Sequence, residues 1–447
     1  MKRRRFLELA AFGGAACCGG LALRAPRAFA IGAPFGDFKA LVSIFLFGGN
    51  DAFNMVVPRS PAEYNVYATS RQNLALDQAV LLPITPDNPD GAAYGLHPSM
   101  GALQTMFEAG DASVLANVGP LVQPVTRAEY FAGTVALPPQ LFSHNDQQDQ
   151  WQSLRGRTSL ASGWAGRIAD ALAPATTGQR LAMNISTAGT VLFQAGADTV
   201  PYAIGTNGAN TYFILESSVP FGDQRRAAFE AHLNAGFSNV HARALAEVHQ
   251  RSLATADDVN AALALASLST PFPTSSLGAQ LNVVARMLAV RDVLAMSRQI
   301  FFVSTGGFDT HDDQNLNQPN LLGDVANCLA AFQAAMVEIG IQDEVTTFTQ
   351  SDFGRTLTSN GDGTDHGWGG HQVIAGGAIH GRRIFGTMPV LEIGGADDTD
   401  AGRIIPTTSV DQYAATLARW FGVAEADIAT IAPSIGNFAA SDLGLFA

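Results

Sequence analysis

Residues 38–47 read FKALVSIFLF and run directly into Gly48-Gly49-Asn50-Asp51. The run is nearly unbroken in apolar residues, which is the pattern of a central strand covered on both faces. It delivers an acidic residue to the carboxyl end of that strand. Working outward, His97-Pro98 opens a segment with Leu103, Met106 and Phe107 at helical spacing; Gly110 closes it, and ASVLANV follows from Ala112 as a second apolar strand. This is a β-α-β rhythm. It returns late in the chain with IFFVSTGGFDTH from Ile300, a helical stretch over 320–339, and VTTFTQSDFGRT from Val345. Both late strands also run into acids, Asp309 and Asp352. Parallel sheets take ligands at the carboxyl ends of their strands, so three acids at three such ends predict one shared crevice.

Between these halves the composition changes. Gly/Pro/Thr-rich connections with short β-like runs over 181–202 precede helical patterns over 225–265 and 277–296. The expectation is an α/β fold. It forms a single domain over 31–447, with an inserted subdomain or helical layer at about 174–298. No fixed-period repeat appears, and no linker is long or polar enough to separate independent domains.

Of the 447 residues, 15% are charged, below the roughly 25% of average soluble domains, which argues against a disordered chain. The first 30 residues read as a leader. Arg3-Arg4-Arg5-Phe6-Leu7 precedes an apolar, Gly/Ala-rich stretch that ends in Ala28-Phe29-Ala30, a pattern resembling a twin-arginine export signal cleaved before Ile31. The apolar stretch 9–22 is shorter than the ~20 residues of a bilayer span, so no stable span is expected after cleavage. The destination is periplasmic or secreted. Cys17 after Ala15-Ala16 offers lipidation as an alternative, although Gly14 stands where a larger apolar residue is expected.

Six of the 26 basic residues and one of the 39 acids fall in that leader, leaving 20 against 38, a formal charge of −18. Nucleic acid and anionic lipid are therefore excluded as partners, since both require clustered cations. An anionic substrate would need local compensation by a metal or an arginine. Only Cys328 remains after cleavage, so the mature monomer can form no internal disulfide.

Four of the nine histidines, His144, His311, His366 and His371, stand beside carboxylates or hydroxyls or in glycine-rich turns. Asp309-Thr310-His311 follows one strand, and Asp365-His366 with His371 follows the strand ending in Ser351-Asp352. Carboxylates and neutral imidazoles together ligate zinc, manganese or iron. One such pair is more often a helix-capping surface turn, but three groups at three strand ends favour a metal. Trp151, Trp164, Trp368 and Trp420 read as packing residues, and His232, His241 and His249 as solvated. Asn54 and His144 lie close to the proposed ligands and suit supporting roles.

The segments LFGGNDAFNMVVP from Leu46, FSHNDQQDQW from Phe142, GWAGRIAD from Gly163, TGGFDTH from Thr305, SDFGRT from Ser351, GTDHGWGGH from Gly363 and GRIIPTTSVDQYAATLARWFG from Gly402 carry a resemblance. Together they are similar to the bacterial secreted family called domain of unknown function 1501, which is grouped with the alkaline phosphatase and sulfatase superfamily. The resemblance implies an alkaline phosphatase-like fold of three layers, a mixed, mostly parallel sheet flanked by helices, with one or two divalent ions, zinc or manganese, at the strand ends. By position, Asp51 resembles the first metal-ligating aspartate and Ser143 the nucleophile. Asp309 and His311 would serve one ion, Asp51 and Asp352 a second, and His366 or His371 would complete the first. In another register Asp365-His366 is the ligand pair, with His371 or His380 last. Arg355 would orient an anion.

Two features depart from the superfamily. Asp309 and His311 are two apart rather than four, and Phe353, which cannot ligate a metal, follows Asp352. The leading expectation is an exported metal-dependent hydrolase of phosphate or sulfate esters, with a small-molecule or polysaccharide substrate. The rival is a non-catalytic binding or assembly protein, with its own protein partner, that keeps the fold.

Overall fold

The computed structural model describes residues 35–158 and 161–446. The expected leader, Cys17 and the cleavage point lie outside these residues. The opening run forms β1 (Lys39–Leu46), buried from Ala40 onward. It pairs in parallel with β9 (Arg298–Thr305) on one side and β10 (Val345–Ser351) on the other. A strand buried on both faces has no polar side, which is why this sequence shows no alternation.

The ten-stranded sheet runs in the order β14 (Ile384–Phe385), β5 (Ala112–Gly119), β13 (Gly370–Ala375), β10, β1, β9, β6 (Asn184–Ser186), β7 (Tyr202–Gly205) and β8 (Gly208–Ala209), with β15 (Thr408–Ser409) beside β5. Only β13 and β8 run against their neighbours. The sheet is thus mixed and mostly parallel, and helices flank it, as the resemblance implied. Small sheets are formed by β2 (Val56–Pro58), β3 (Leu82–Ile84) and β4 (Tyr94–Leu96), and by β11 (Arg355–Ser359) with β12 (Thr364–His366). Short α1 (Ala52–Met55) and α2 (Pro61–Arg71) follow β1 and β2.

On one face, α3 (Gly101–Ala109) joins the core in which Val42, Ile44, Phe301 and Val303 meet helical Leu281, Leu288, Leu329 and Phe332. On the other, α4 (Arg127–Ala132) and α5 (His144–Ser153) precede α6 (Trp164–Leu172), whose Trp164 ring lies 5.8 Å from Phe348 of β10. Trp151, Trp164 and Trp368 are all buried, and Trp420 stacks on Phe446.

The segment 174–298 has three fates. Strands β6 to β8 extend the main sheet. Two helices, α7 (Gly222–Leu233) and α8 (Val240–Leu263), enclose a small core of Leu215, Leu233, Ala246 and Leu253. The third part, α9 (Ser276–Ala289), packs into the main core beside α10 (Gln314–Glu338). The helical pattern over 225–265 is broken because Gly236 adopts φ +75° and Asn239 caps α8 through the backbone N–H groups of His241 and Ala242. Likewise α10 starts six residues earlier than its sequence pattern. Pro319 sits inside it near the start and removes just one intrahelical N–H donor. By length and composition α10 could span a bilayer, and it is packed in the core through Leu329, Phe332 and Met336.

Because β1, β9 and β10 are parallel neighbours, the loops after them emerge at one edge of the sheet. The antiparallel β13 begins at that same edge. Gly48 lets two of these loops touch, since it takes φ +116° and a Cβ there would lie 2.3 Å from the Asp309 nitrogen.

Candidate metal centre

Asp309, four residues past β9, is held by the buried Arg355 of β11, whose Nη1 donates to its Oδ1 at 2.7 Å. Three imidazoles close round the same carboxylate. The Nε2 of His311 lies 3.1 Å and that of His366 3.6 Å from Oδ1, while the Nε2 of His144 lies 3.5 Å from Oδ2. The His311 and His366 Nε2 atoms are 2.9 Å apart. His144 opens α5, His311 follows β9, and His366 ends β12, so three separate elements supply the rings.

The other nitrogen of each ring explains this convergence. His144 Nδ1 meets Asp352 Oδ2 at 2.6 Å, His311 Nδ1 meets Asp365 Oδ1 at 3.1 Å, and His366 Nδ1 meets the Phe142 carbonyl at 2.7 Å. With an acceptor at every Nδ1, the proton of each neutral ring belongs there, and every Nε2 lone pair faces the centre. Two such lone pairs 2.9 Å apart repel each other unless a cation lies between them. Ligands ~2.0 to 2.1 Å from a tetrahedral zinc stand roughly 3.3 Å from one another, and the separations around Asp309 bracket that value. Ligand atoms of His144, Asp309 and His366 all fall within 4.8 Å of one another. Asp352, which also accepts from Gln148 Nε2 at 2.8 Å, and Asp365 stand where carboxylates that orient metal-ligating histidines are commonly found.

Burial pushes the Asp309 carboxyl up, but the hydrogen bond and charge of Arg355, with His311 and His144, outweigh it and hold the group below its usual range. Burial, aided by His144, Arg355 and His311, lowers His366 despite its bond to the Phe142 carbonyl and keeps the ring neutral. The Asp309 side chain is 45% exposed, so the centre opens to solvent on that side. Phe353 walls another side, its ring 4.8 Å from that of His144 and 4.7 Å from that of His366. The phenylalanine that cannot ligate therefore packs against two of the rings.

Four of the expected residues have other partners in the structure. Asp51 is fully buried and pairs with Arg71 of α2, while Gln314 also donates to it and its Oδ1 accepts from Phe53 N at 3.2 Å. Both oxygens are occupied away from the imidazoles. His371 points into the core: its Nδ1 accepts from Asn117 N at 3.1 Å and its ring packs edge-on against Phe53. Ser143 precedes α5, yet its hydroxyl donates to Asp146 at 2.8 Å rather than standing free. Arg355 spends its donors inside the protein, on Asp309, on Gly48 O, and on Thr364 through both Oγ1 and the carbonyl. His144, read from the sequence as a supporting residue, stands with the ligand set. The available signal was its place one residue into a helix, beside other polar side chains.

Imidazoles and carboxylates thus gather at the edge where the parallel strands end, the edge at which sheets of this kind commonly take ligands. The chain belongs to the family described as protein of unknown function (DUF1501), which matches residues 38–423. No curated protein sequence matches it. Among solved structures it is similar to the soluble domain of lipooligosaccharide phosphoethanolamine transferase A from Neisseria meningitidis, at 7% identity over 90% of this chain and 95% of that one, with a TM-score of 0.34. It is also similar to Ps i-CgsB in complex with k-i-k-neocarrahexaose, at 11% identity over 88% of this chain and 74% of that one, with a TM-score of 0.30.

Proposed function

We propose that the chain is an exported hydrolase of anionic esters, phosphate or sulfate, working with a single divalent ion held by His144, His311, His366 and Asp309. The observation that carries this reading is the shared arrangement of the three imidazoles, each tied at Nδ1 and aimed at Asp309 with Nε2. When bound, the ion supplies Lewis acidity toward an ester oxygen. Asp309 and His311 border the open side, so substrate approaches there, while Phe353 packs against the His144 and His366 rings. Asp352, Asp365 and the Phe142 carbonyl hold the rings in register. A single ion is favoured over two because Asp51, the acid expected at a second position, is neutralised by Arg71. The leader motif supports export in a folded state, and mass spectrometry of the exported form should find Ile31 as its first residue.

A second reading, a non-catalytic binding protein, is favoured by one observation. Ser143 and Arg355, the residues expected to attack and to clamp an anion, are both tied up internally. Elemental analysis of the purified protein beside a panel of phosphate and sulfate esters tests both readings. About one equivalent of metal with ester turnover supports the hydrolase; one equivalent without turnover supports the binding protein. Absence of metal overturns both assignments of the centre.

A further inference from the structure

With Arg355 fully engaged, the centre needs another cation if it is to hold an anionic group. Arg403 borders it through two of its residues, His366 and Phe142. Its Nε donates to the backbone carbonyl of His366 at 3.1 Å, and its guanidinium lies 4.8 Å from the centroid of the Phe142 ring. These are the two residues that fix one corner of the cluster, since the Phe142 carbonyl receives His366 Nδ1. Among the described residues no carboxylate pairs with Arg403, and its Nη1 and Nη2 donors carry no partner.

The turn that presents it is braced. Asp398, buried, accepts from Gly402 N and Gly394 N at 2.8 Å each, and Thr399 bonds the Arg403 carbonyl through both its N–H and its hydroxyl. A guanidinium held over an aromatic ring with its Nη1 and Nη2 donors unpartnered can make two parallel hydrogen bonds to a tetrahedral oxyanion. In a chain so rich in acids, an arginine left without a carboxylate partner is available to a ligand.

Resting on the metal reading above, we infer that Arg403 forms, beside the centre, the recognition site for the tetrahedral oxyanion group of the substrate. Inorganic phosphate and inorganic sulfate, titrated separately by calorimetry into the mature protein with and without zinc, test this. Both anions should bind the wild type. Arg403→Gln should weaken them at least about 10-fold, and Arg403→Lys less, with zinc stoichiometry and affinity unchanged. Phosphate bound much more tightly than sulfate, or the reverse, assigns the ester class.

Unchanged anion affinity in Arg403→Gln, or no anion binding by the wild type, overturns the inference. Anion affinity lost only in step with zinc affinity also overturns it, because Arg403 would then merely hold His366. Failure of the metal reading is separable: zinc would not bind, while any Arg403-dependent anion binding would persist in the metal-free protein and uphold the site.

Discussion

Two strand ends of this protein carry nearly the same signal and use it in opposite ways. After β1 the chain reads Gly48-Gly49-Asn50-Asp51, and after β9 it reads Gly306-Gly307-Phe308-Asp309. The strands are parallel neighbours, so both acids arrive at the same edge of the sheet. Asp51 meets an arginine from α2 and a glutamine from α10, and both oxygens are consumed in the interior. Asp309 also meets an arginine, yet it keeps an exposed face on which three imidazoles gather. Strand topology decides where a carboxylate arrives, and the partners brought by other elements decide what it does.

The comparison can be broken first at Asp51. Asp51→Ala leaves Arg71 as an uncompensated buried charge, and losing one partner of a buried pair destabilises by about 3 to 5 kcal/mol. Denaturant unfolding should show this drop while bound metal per chain stays constant in the folded fraction. Lost metal with little loss of stability would return Asp51 to the ligand set. At the other strand end, Asp309→Ala should lower metal affinity by about 100-fold or more, and Asp365→Ala by roughly 10-fold because it acts through His311. Competition with a chromogenic chelator measures both. Equal losses for the two variants would contradict the different roles given to them.

Much of this arrangement is legible in the sequence because buried strands and the residues at their ends are local signals. The runs at 38–47, 112–118 and 345–351 are strands, and Asp309 and His311 after β9 stand in one cluster with Asp352, Asp365 and His366 after β10, whereas His371 does not. Partner choice is not legible. Arg71 lies on a separate helix and reaches Asp51 only after α2 folds back, and His144 lies 165 residues before Asp309, at the tip of a helix whose docking no periodicity records. Exposed helix breaks are equally faint. The division of 225–265 depends on one positive φ at Gly236.

The same contrast recurs within GTDHGWGGH, and acid sharpens it. His371 is completely buried, and that burial lowers it to about 3, whereas an unfolded histidine titrates near its ordinary 6.5. Between these values the unfolded chain binds the extra proton, so stability rises with pH and is lost as pH falls from about 6.5 toward 3. From pH 7 to pH 5 the loss should be about 2 kcal/mol. Urea unfolding of the wild type and His371→Gln over that range isolates the residue, since glutamine cannot titrate. Parallel pH profiles would show that His371 does not carry the effect.

Ser143 sits nearest the centre in sequence and should matter least. Its hydroxyl donates to Asp146 on the surface of α5 and makes no bond to the free backbone N–H groups of that helix. Removing one partly exposed hydrogen bond of this kind changes stability by about 1 kcal/mol or less. A serine nucleophile would behave differently, because its loss removes the group that forms the covalent intermediate and lowers turnover by orders of magnitude with metal still bound. Ser143→Ala should therefore melt within a few degrees of the wild type, hold its metal, and turn over any confirmed ester substrate at a comparable kcat. A collapse in kcat with metal and melting temperature intact would mean that the serine rotates away from Asp146 when substrate binds. It would also make the strand-end comparison incomplete, because a helix tip would then supply the reacting atom as well as a ligand.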